Sequence, residues 1–204
     1  TAFLLGQANA FIRAISNTPI RPDYRKELNK VSLIKGAQAT TAIEGNTLTF
    51  EQIRDILEKK KKVSPSREYL QVEVENIMRA INGIQEDVLL KKKISVITPD
   101  LILNFHRVVG KDLGENFEAI PGKFRTNNVV VGNYLAPNHE QVKDMIDQLC
   151  TWLRREFKFD QGQTFSDAIL QAIVTHIYLV WIHPFSDGNG RTARLITKLL
   201  LADL

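Results

Sequence analysis

Cysteine is nearly absent: the 204-residue chain holds one, Cys150. No disulfide can form within the chain, which suits a reducing compartment and leads us to expect a cytoplasmic protein. That thiol lies in the apolar pattern MIDQLCTWL and reads as a small core residue rather than a nucleophile. A large excess of one charge is also missing. The net charge of +4 is too small to imply a nucleic-acid binder, and the lysine clusters EKKKKV (58–63) and LKKKI (90–94) read as solvated helix ends or loops. No stretch reaches the ~20 apolar residues of a membrane span. The most apolar one, AILQAIVTHIYLVWI (168–182), carries Gln171 and His176 and reads as a central helix buried on all sides; no membrane partner is expected. The opening TAFLLGQANAF lacks the charged region and long apolar core of a secretory signal. Because it does not begin with Met, processing or truncation can hide a segment. Repeats and low-complexity linkers are missing too. His106, His139, His176 and His183 show no metal-ligand spacing, and His106 and His176 lie in apolar helical patterns as core histidines.

What is present is mostly helical periodicity. Apolar residues recur at three- and four-residue spacings over 24–44, 48–62, 64–85, 98–110, 138–157, 164–182 and 188–204. Thr49 with Gln52 three residues on forms a capping box, Ser64-Pro65 opens a helix, and Thr98-Pro99 starts another that Gly110 stops. One segment, FRTNNVVVGNYLAPNHE (124–140), breaks the pattern: two short β-type runs flank Gly132-Asn133 and read as a hairpin with a two-residue turn. The fold class is therefore mainly α, a helical bundle with one β-hairpin. A soft boundary near 89–95 separates an N-terminal helical region (1–95) from a C-terminal core (96–204).

The densest chemistry is IHPFSDGNGRTAR (182–194), directly after the most apolar run. Pro184 fixes its own φ and pushes His183 out of the α region, so that helix ends at His183. Asp187, Gly188, Asn189 and Gly190 form the turn that starts the last helix. The glycines let backbone N–H groups crowd inward, and a helix N-terminus adds positive partial charge, which together make an anion cradle. Arg191 and Arg194 can grip phosphate oxygens, and Asp187 is a hard oxygen ligand suited to Mg²⁺ shared with a nucleotide. A base, a metal carboxylate, a glycine cradle and two arginines in one order point to phosphate chemistry.

Residues 183–194, His-Pro-Phe-Ser-Asp-Gly-Asn-Gly-Arg-Thr-Ala-Arg, resemble the HPFx[DE]GNGRxxR signature of Fic-domain proteins at every specified position. The likeness extends upstream through GKFRTNNVVVGNYLAPNHEQVKDMIDQLCTWL and covers at least 97–204. The resemblance implies the Fic fold, with the hairpin as a flap, and a protein adenylyltransferase: AMP passes from ATP to a Tyr, Ser or Thr hydroxyl of a target protein. It implies that His183 takes the hydroxyl proton and Asp187 holds Mg²⁺. It further implies that Gly188, Asn189, Gly190, Arg191, Thr192, Ala193 and Arg194 hold the nucleotide, with Arg191 at the β-phosphate and Arg194 at the γ-phosphate. Gly190 stands where members that phosphorylate carry a lysine. The target is expected on the flap (127–137), by strand addition to an exposed edge. Dimers are common in the family, so a homodimer is compatible with the resemblance, and family cores usually continue beyond the point where this chain ends.

Upstream, TTAIEGN (40–46) resembles the family's inhibitory motif [ST]xxxE[GN] through Thr40, Glu44 and Gly45, in the class whose inhibitory helix precedes the core. A carboxylate at a helix C-terminus is disfavoured by the dipole and needs a cation; Arg194 is the expected partner, and pairing would deny it to the γ-phosphate. Two other readings use the same residues: a hydrolase that removes AMP from adenylylated protein, and a nucleotide-gated interaction module with negligible turnover.

Overall fold

Short polar side chains start four of the helices. Thr49 and Gln52 close the expected capping box at the head of α3 (Phe50–Leu57). Thr98 accepts from Leu101 N at 3.2 Å ahead of α5 (Pro99–Val109). Asn138 accepts from Glu140 N at 3.1 Å ahead of α6 (His139–Glu156), and Thr164 from Asp167 N at 3.2 Å ahead of α7 (Phe165–Ile182). Each satisfies a backbone N–H that has no partner in the helix. The remaining helices are α1 (Ala2–Ser16), α2 (Pro22–Ala42), α4 (Glu68–Gln85) and α8 (Asn189–Leu201). The Ser64-Pro65 entry is a single 3-10 turn (Pro65–Arg67) before α4, and one π-helical turn (Glu86–Leu90) follows it. This computed structural model describes residues 2–60, 63–90, 96–157 and 164–202. The expected boundary near 89–95 and the second lysine cluster fall mainly on 91–95, outside the described residues; in the first cluster Lys59 and Lys60 are exposed.

α7 and α8 pack along each other. α8 also rests on α5, α4 and α2, and α6 covers α7 and touches α5. The apolar stripes converge on one core that includes Ile34, Ile53, Val74, Ile77, Ile102 and Ile196, all fully buried. Each such side chain contributes about 1.5–3 kcal/mol relative to an exposed one. Cys150 is a member of that core, and burial pushes its thiol up to about 11, as befits an unreactive core residue.

α7 departs from expectation. Only Ala168, Gln171, Ala172, Thr175, Leu179 and Ile182 are buried; Ile173, Ile177 and Trp181 lie exposed on other faces. The reading of a helix buried on all sides is thus corrected: among the described residues α6 and α8 cover only part of its circumference, while α1, which has no buried residue, makes a light contact with it. By length and composition α7 is the one helix among the described residues apolar enough to cross a membrane, and its inner face belongs to the core.

The hairpin forms where expected. β1 (Val130–Val131) pairs antiparallel with β2 (Tyr134–Leu135), Val130 opposite Leu135 and Val131 opposite Tyr134. Gly132 takes φ +58° in the two-residue turn, a value that favours glycine.

Candidate active site

The site begins where α7 stops. His183 caps the helix at φ 49° and ψ 62°, with its N–H still donating to Leu179 O at 3.0 Å. Pro184 does force it out of the right-handed α region, but into the left-handed one rather than into extended backbone. The half-buried imidazole lies with Nδ1 3.3 Å from Val180 O. A carbonyl can only accept, so Nδ1 carries the proton and the lone pair resides on Nε2. Burial lowers the pKa of His183 below the ordinary imidazole value; Arg125 adds to the lowering, while the Val180 carbonyl and Glu44 oppose it. The ring is therefore neutral near pH 7, with Nε2 able to take a proton.

The next residues fold into a braced turn. Asn189 accepts from Phe185 N at 3.0 Å and donates to Phe185 O at 2.8 Å, so its side chain closes the loop from inside. Gly188 adopts φ +77°, and a Cβ there would stand 2.8 Å from the Phe117 ring. The first helical bond of the turn runs from Thr192 N to Gly188 O at 3.0 Å. The N–H groups of Asn189, Gly190 and Arg191 therefore have no partner within α8, which is the anion cradle read from the sequence. The side chains of Thr192 and Ala193 point into the core, with Thr192 Oγ1 left unpartnered. These two can act on a nucleotide only through the helix that they build.

The two arginines part company. Arg194 faces outward over the cradle. Arg191 is 6% exposed, and its guanidinium bridges Glu73 (2.6 Å) and Asp187 (2.6 Å) over the face of Phe117, with Nε unpartnered. Asp187 also accepts from Gly188 N and from Glu118 N. Arg191 thus holds the carboxylate in place and does not share the open position of Arg194. Nor does Asn189 present its amide to the cradle, since Phe185 occupies it.

The upstream motif arrives at this point. Arg194 donates from Nη2 to Glu44 and to Thr40 O (3.0 Å), and from Nε to Thr40 Oγ1 (2.7 Å). A Cβ added at Gly190 would lie 2.5 Å from Glu44 Oε1. The carboxylate of Glu44 thus rests over the glycine at the N-terminus of α8. Gly45 follows at φ +93°, a left-handed turn that carries the chain away. A cavity of about 210 Å³ lined by Glu44, Asn46, Glu73, Asp187 and Arg191 adjoins this contact.

Four residues outside the expected set complete the surroundings. Glu73 holds Arg191 through one oxygen and Asn46 through the other (2.8 Å), which ties the turn after Glu44 to α4 and α8. His106, fully buried, accepts from Gly122 N at Nδ1 and lies 2.9 Å from Asp187 O at Nε2, stacked 3.6 Å from Phe185. An N–H must be matched to Nδ1, so Nε2–H donates to the Asp187 carbonyl. Burial drives this imidazole down to about 4, so it stays neutral. The core-histidine reading holds for His106, whereas His176 is half-buried, near Thr197 Oγ1 at 3.2 Å. Arg125, 5% exposed, spans His183 O, Asn127 O and Pro137 O. The signal for Arg125 and Glu73 lay in charges inside otherwise apolar or turn-rich segments, and their partners are 58 and 118 residues away.

Comparison with known proteins bears on this arrangement. The Fic/DOC family matches residues 96–201. A protein adenylyltransferase fic-1 from Caenorhabditis briggsae is 39% identical over 169 residues, covering 79% of this chain and 30% of that protein. The chain thus spans about a third of the length of this curated relative. A solved Fic-1 fragment from C. elegans is 28% identical with a TM-score of 0.77, covering 97% of this chain and 56% of that one. A Fic-domain signaling protein from Bacteroides thetaiotaomicron, 20% identical, superposes with a TM-score of 0.79 over 98% of this chain and 72% of that one, and so shares the fold.

Proposed function

This chain belongs to the Fic/DOC family, and from that premise we propose that it is a protein adenylyltransferase held in check by Glu44. The reading is carried by one observation: three N–H groups without helical partners at the head of α8 lie close in sequence to a half-buried, neutral His183 whose Nε2 is free to accept. In the proposed reaction, ATP sets its phosphates at the cradle. His183 Nε2 takes the proton of a target hydroxyl, the hydroxyl oxygen forms a bond to the α-phosphorus, and the bond to pyrophosphate breaks. Arg194, once released, supplies the outer guanidinium for the terminal phosphate.

The donor set suits Mg²⁺ carried in by the nucleotide. Among the described residues there is no cluster of three or more metal-type side chains, but Mg²⁺ in phosphate sites needs only one or two carboxylates. Asp187 provides one, fixed by Arg191 and the Glu118 N–H. The ion would neutralise charge developing on the phosphates; the chain's own part is to hold that carboxylate still.

Inhibition follows from competition for one cation and one space. While Thr40 and Glu44 hold Arg194, it is withheld from the terminal phosphate, and the Glu44 carboxylate lies where a phosphate would meet Gly190. The flap supports target docking: Val130, Val131, Tyr134 and Leu135 are all exposed, as an extended segment adding to residues 127–137 would require. A reducing, cytoplasmic setting is proposed on the single buried cysteine.

The test uses ATP labelled at the α-phosphate. Glu44→Gly is expected to raise protein labelling by about tenfold or more, the worth of one charged hydrogen-bonded contact. His183→Ala in that background should abolish it. Equal labelling by wild type and Glu44→Gly removes the inhibitory role, and His183-independent labelling removes the transfer mechanism.

A further inference from the structure

Arg125 lies 58 residues before His183 and outside both motifs. Its guanidinium is buried, and all three of its side-chain partners are backbone carbonyls. Nε donates to His183 O at 2.8 Å, Nη1 to Asn127 O at 2.8 Å, and Nη2 to Pro137 O. Its own N–H donates to Pro184 O at 2.9 Å. Asn127 and Pro137 are the two feet of the hairpin. Directly inside them Ala136 N donates to Val129 O at 3.2 Å, and β1 and β2 follow. One planar fork therefore joins both feet of the flap to the His183 carbonyl, and the backbone N–H of the same residue adds the Pro184 carbonyl. Burial lowers the pKa of this guanidinium, yet an arginine remains charged at neutral pH. Desolvating a cation with no carboxylate among its hydrogen-bond partners is costly, and three simultaneous carbonyl contacts offset that cost only in this geometry. Lysine could keep the charge but offers a single nitrogen, which cannot replace a fork.

We propose that Arg125 is a positioning residue that fixes the flap, and with it the incoming acceptor hydroxyl, at a set distance from the imidazole of His183. It touches neither nucleotide nor acceptor. Its effect passes through the hairpin feet on one side and the left-handed His183 backbone on the other. That backbone conformation is unfavourable for a non-glycine residue, so a buried donor on its carbonyl helps to hold it. Transfer needs the hydroxyl oxygen and the α-phosphorus within near-attack distance, and displacements of about 1 Å cost up to about a hundredfold in rate. Loosening the clip therefore slows the transfer step while the cradle at α8 still takes ATP.

The inference rests on the adenylyltransferase reading for its kinetic test and is independent of it for its structural one. In the Glu44→Gly background, labelling is followed with α-phosphate-labelled ATP to obtain the maximal rate and the ATP concentration at half that rate. Arg125→Lys and Arg125→Gln are expected to lower the maximal rate by about tenfold or more and to leave the half-saturating ATP concentration within about twofold. Amide hydrogen exchange over 127–137 is expected to accelerate in both variants, with exchange in the first turn of α8 unchanged. An unaltered maximal rate overturns the proposal. So does a rise in half-saturating ATP matching the loss of rate, since the damage would then be to the nucleotide site. If the Glu44→Gly parent shows no labelling, the adenylyltransferase reading fails and exchange alone decides: faster over 127–137 supports the clip, unchanged overturns it. Should both Arg125 variants fail to fold, Ser186→Ala carries the test, because Ser186 Oγ donates to Asn127 Oδ1 at 3.2 Å and links the same two segments. A slower maximal rate with ATP saturation retained supports the proposal, and an unchanged rate overturns it.

Discussion

Gly190 sits where any side chain would collide with Glu44 and Arg194. It leaves room over the head of α8, and at present that room is taken by Glu44, 2.5 Å from where a Cβ would sit. Gly190→Ala should therefore push Glu44 aside and yet fill the cradle. Labelling in the Glu44→Gly background is expected to fall by about tenfold or more on adding Gly190→Ala, and full activity in the double variant would refute the cradle. Thr40 shares the hold on Arg194 through its hydroxyl. Thr40→Val is expected to release part of the inhibition, about threefold to tenfold in initial labelling rate, because one hydrogen bond to a charged group is lost while Glu44 remains. At this scale the sequence was informative for residues that act near their neighbours in the chain. The placement of His183, Asp187, Gly188 and Gly190 was legible because it follows from a turn of a dozen residues. Arg125 was not, because a buried donor is indistinguishable from a surface one until its distant carbonyls are known, and for His106 the sequence showed a core histidine but not the Asp187 carbonyl that it braces. The buried setting of Arg191 was hidden for the same reason: spacing puts it beside Arg194, and Glu73, on another helix, pairs with it in the core.

The elements repeat this division. Helix starts were written locally, in Thr49, Thr98, Asn138 and Thr164, each with its N–H partner within three residues. Thr98→Ala is expected to cost about 1 kcal/mol in chemical denaturation, with the midpoint shifted and the slope unchanged. The hairpin was equally local, since Gly132-Asn133 selects the turn and alternate residues follow. α7 was not. Its apolar run gives helix and length, but how much of its circumference is covered depends on how many helices pack around it. Among the described residues α6 and α8 cover one side, so Ile173, Ile177 and Trp181 stay exposed.

For the molecule as a whole, His106 links acidity to stability. Its folded pKa is about 4, against an ordinary value near 6.5. Between these values the unfolded chain binds a proton that the folded one refuses. Stability is therefore full above about pH 6.5 and declines as pH falls towards 4, by up to about 3 kcal/mol from this residue. The melting temperature should fall across that window, and His106→Asn, though less stable at pH 7, should show a shallower fall; parallel curves would show that His106 is not the group responsible. His183 is shifted in the same direction. The acid limb of the labelling rate should accordingly lie below the ordinary imidazole value, because the base form persists to lower pH.

Periodicity, caps and a thirteen-residue loop were enough to settle that this chain is helical with one hairpin, and to mark where its phosphate chemistry would be. Those features depend on backbone conformations and contacts within a few residues, and short-range physics is written in order along the chain. Packing alone decided which arginine turns inward, which histidine braces the turn, and that a buried guanidinium holds the flap. Those outcomes depend on desolvation and on partners brought close only when the helices close around a common core, and linear spacing carries no record of them.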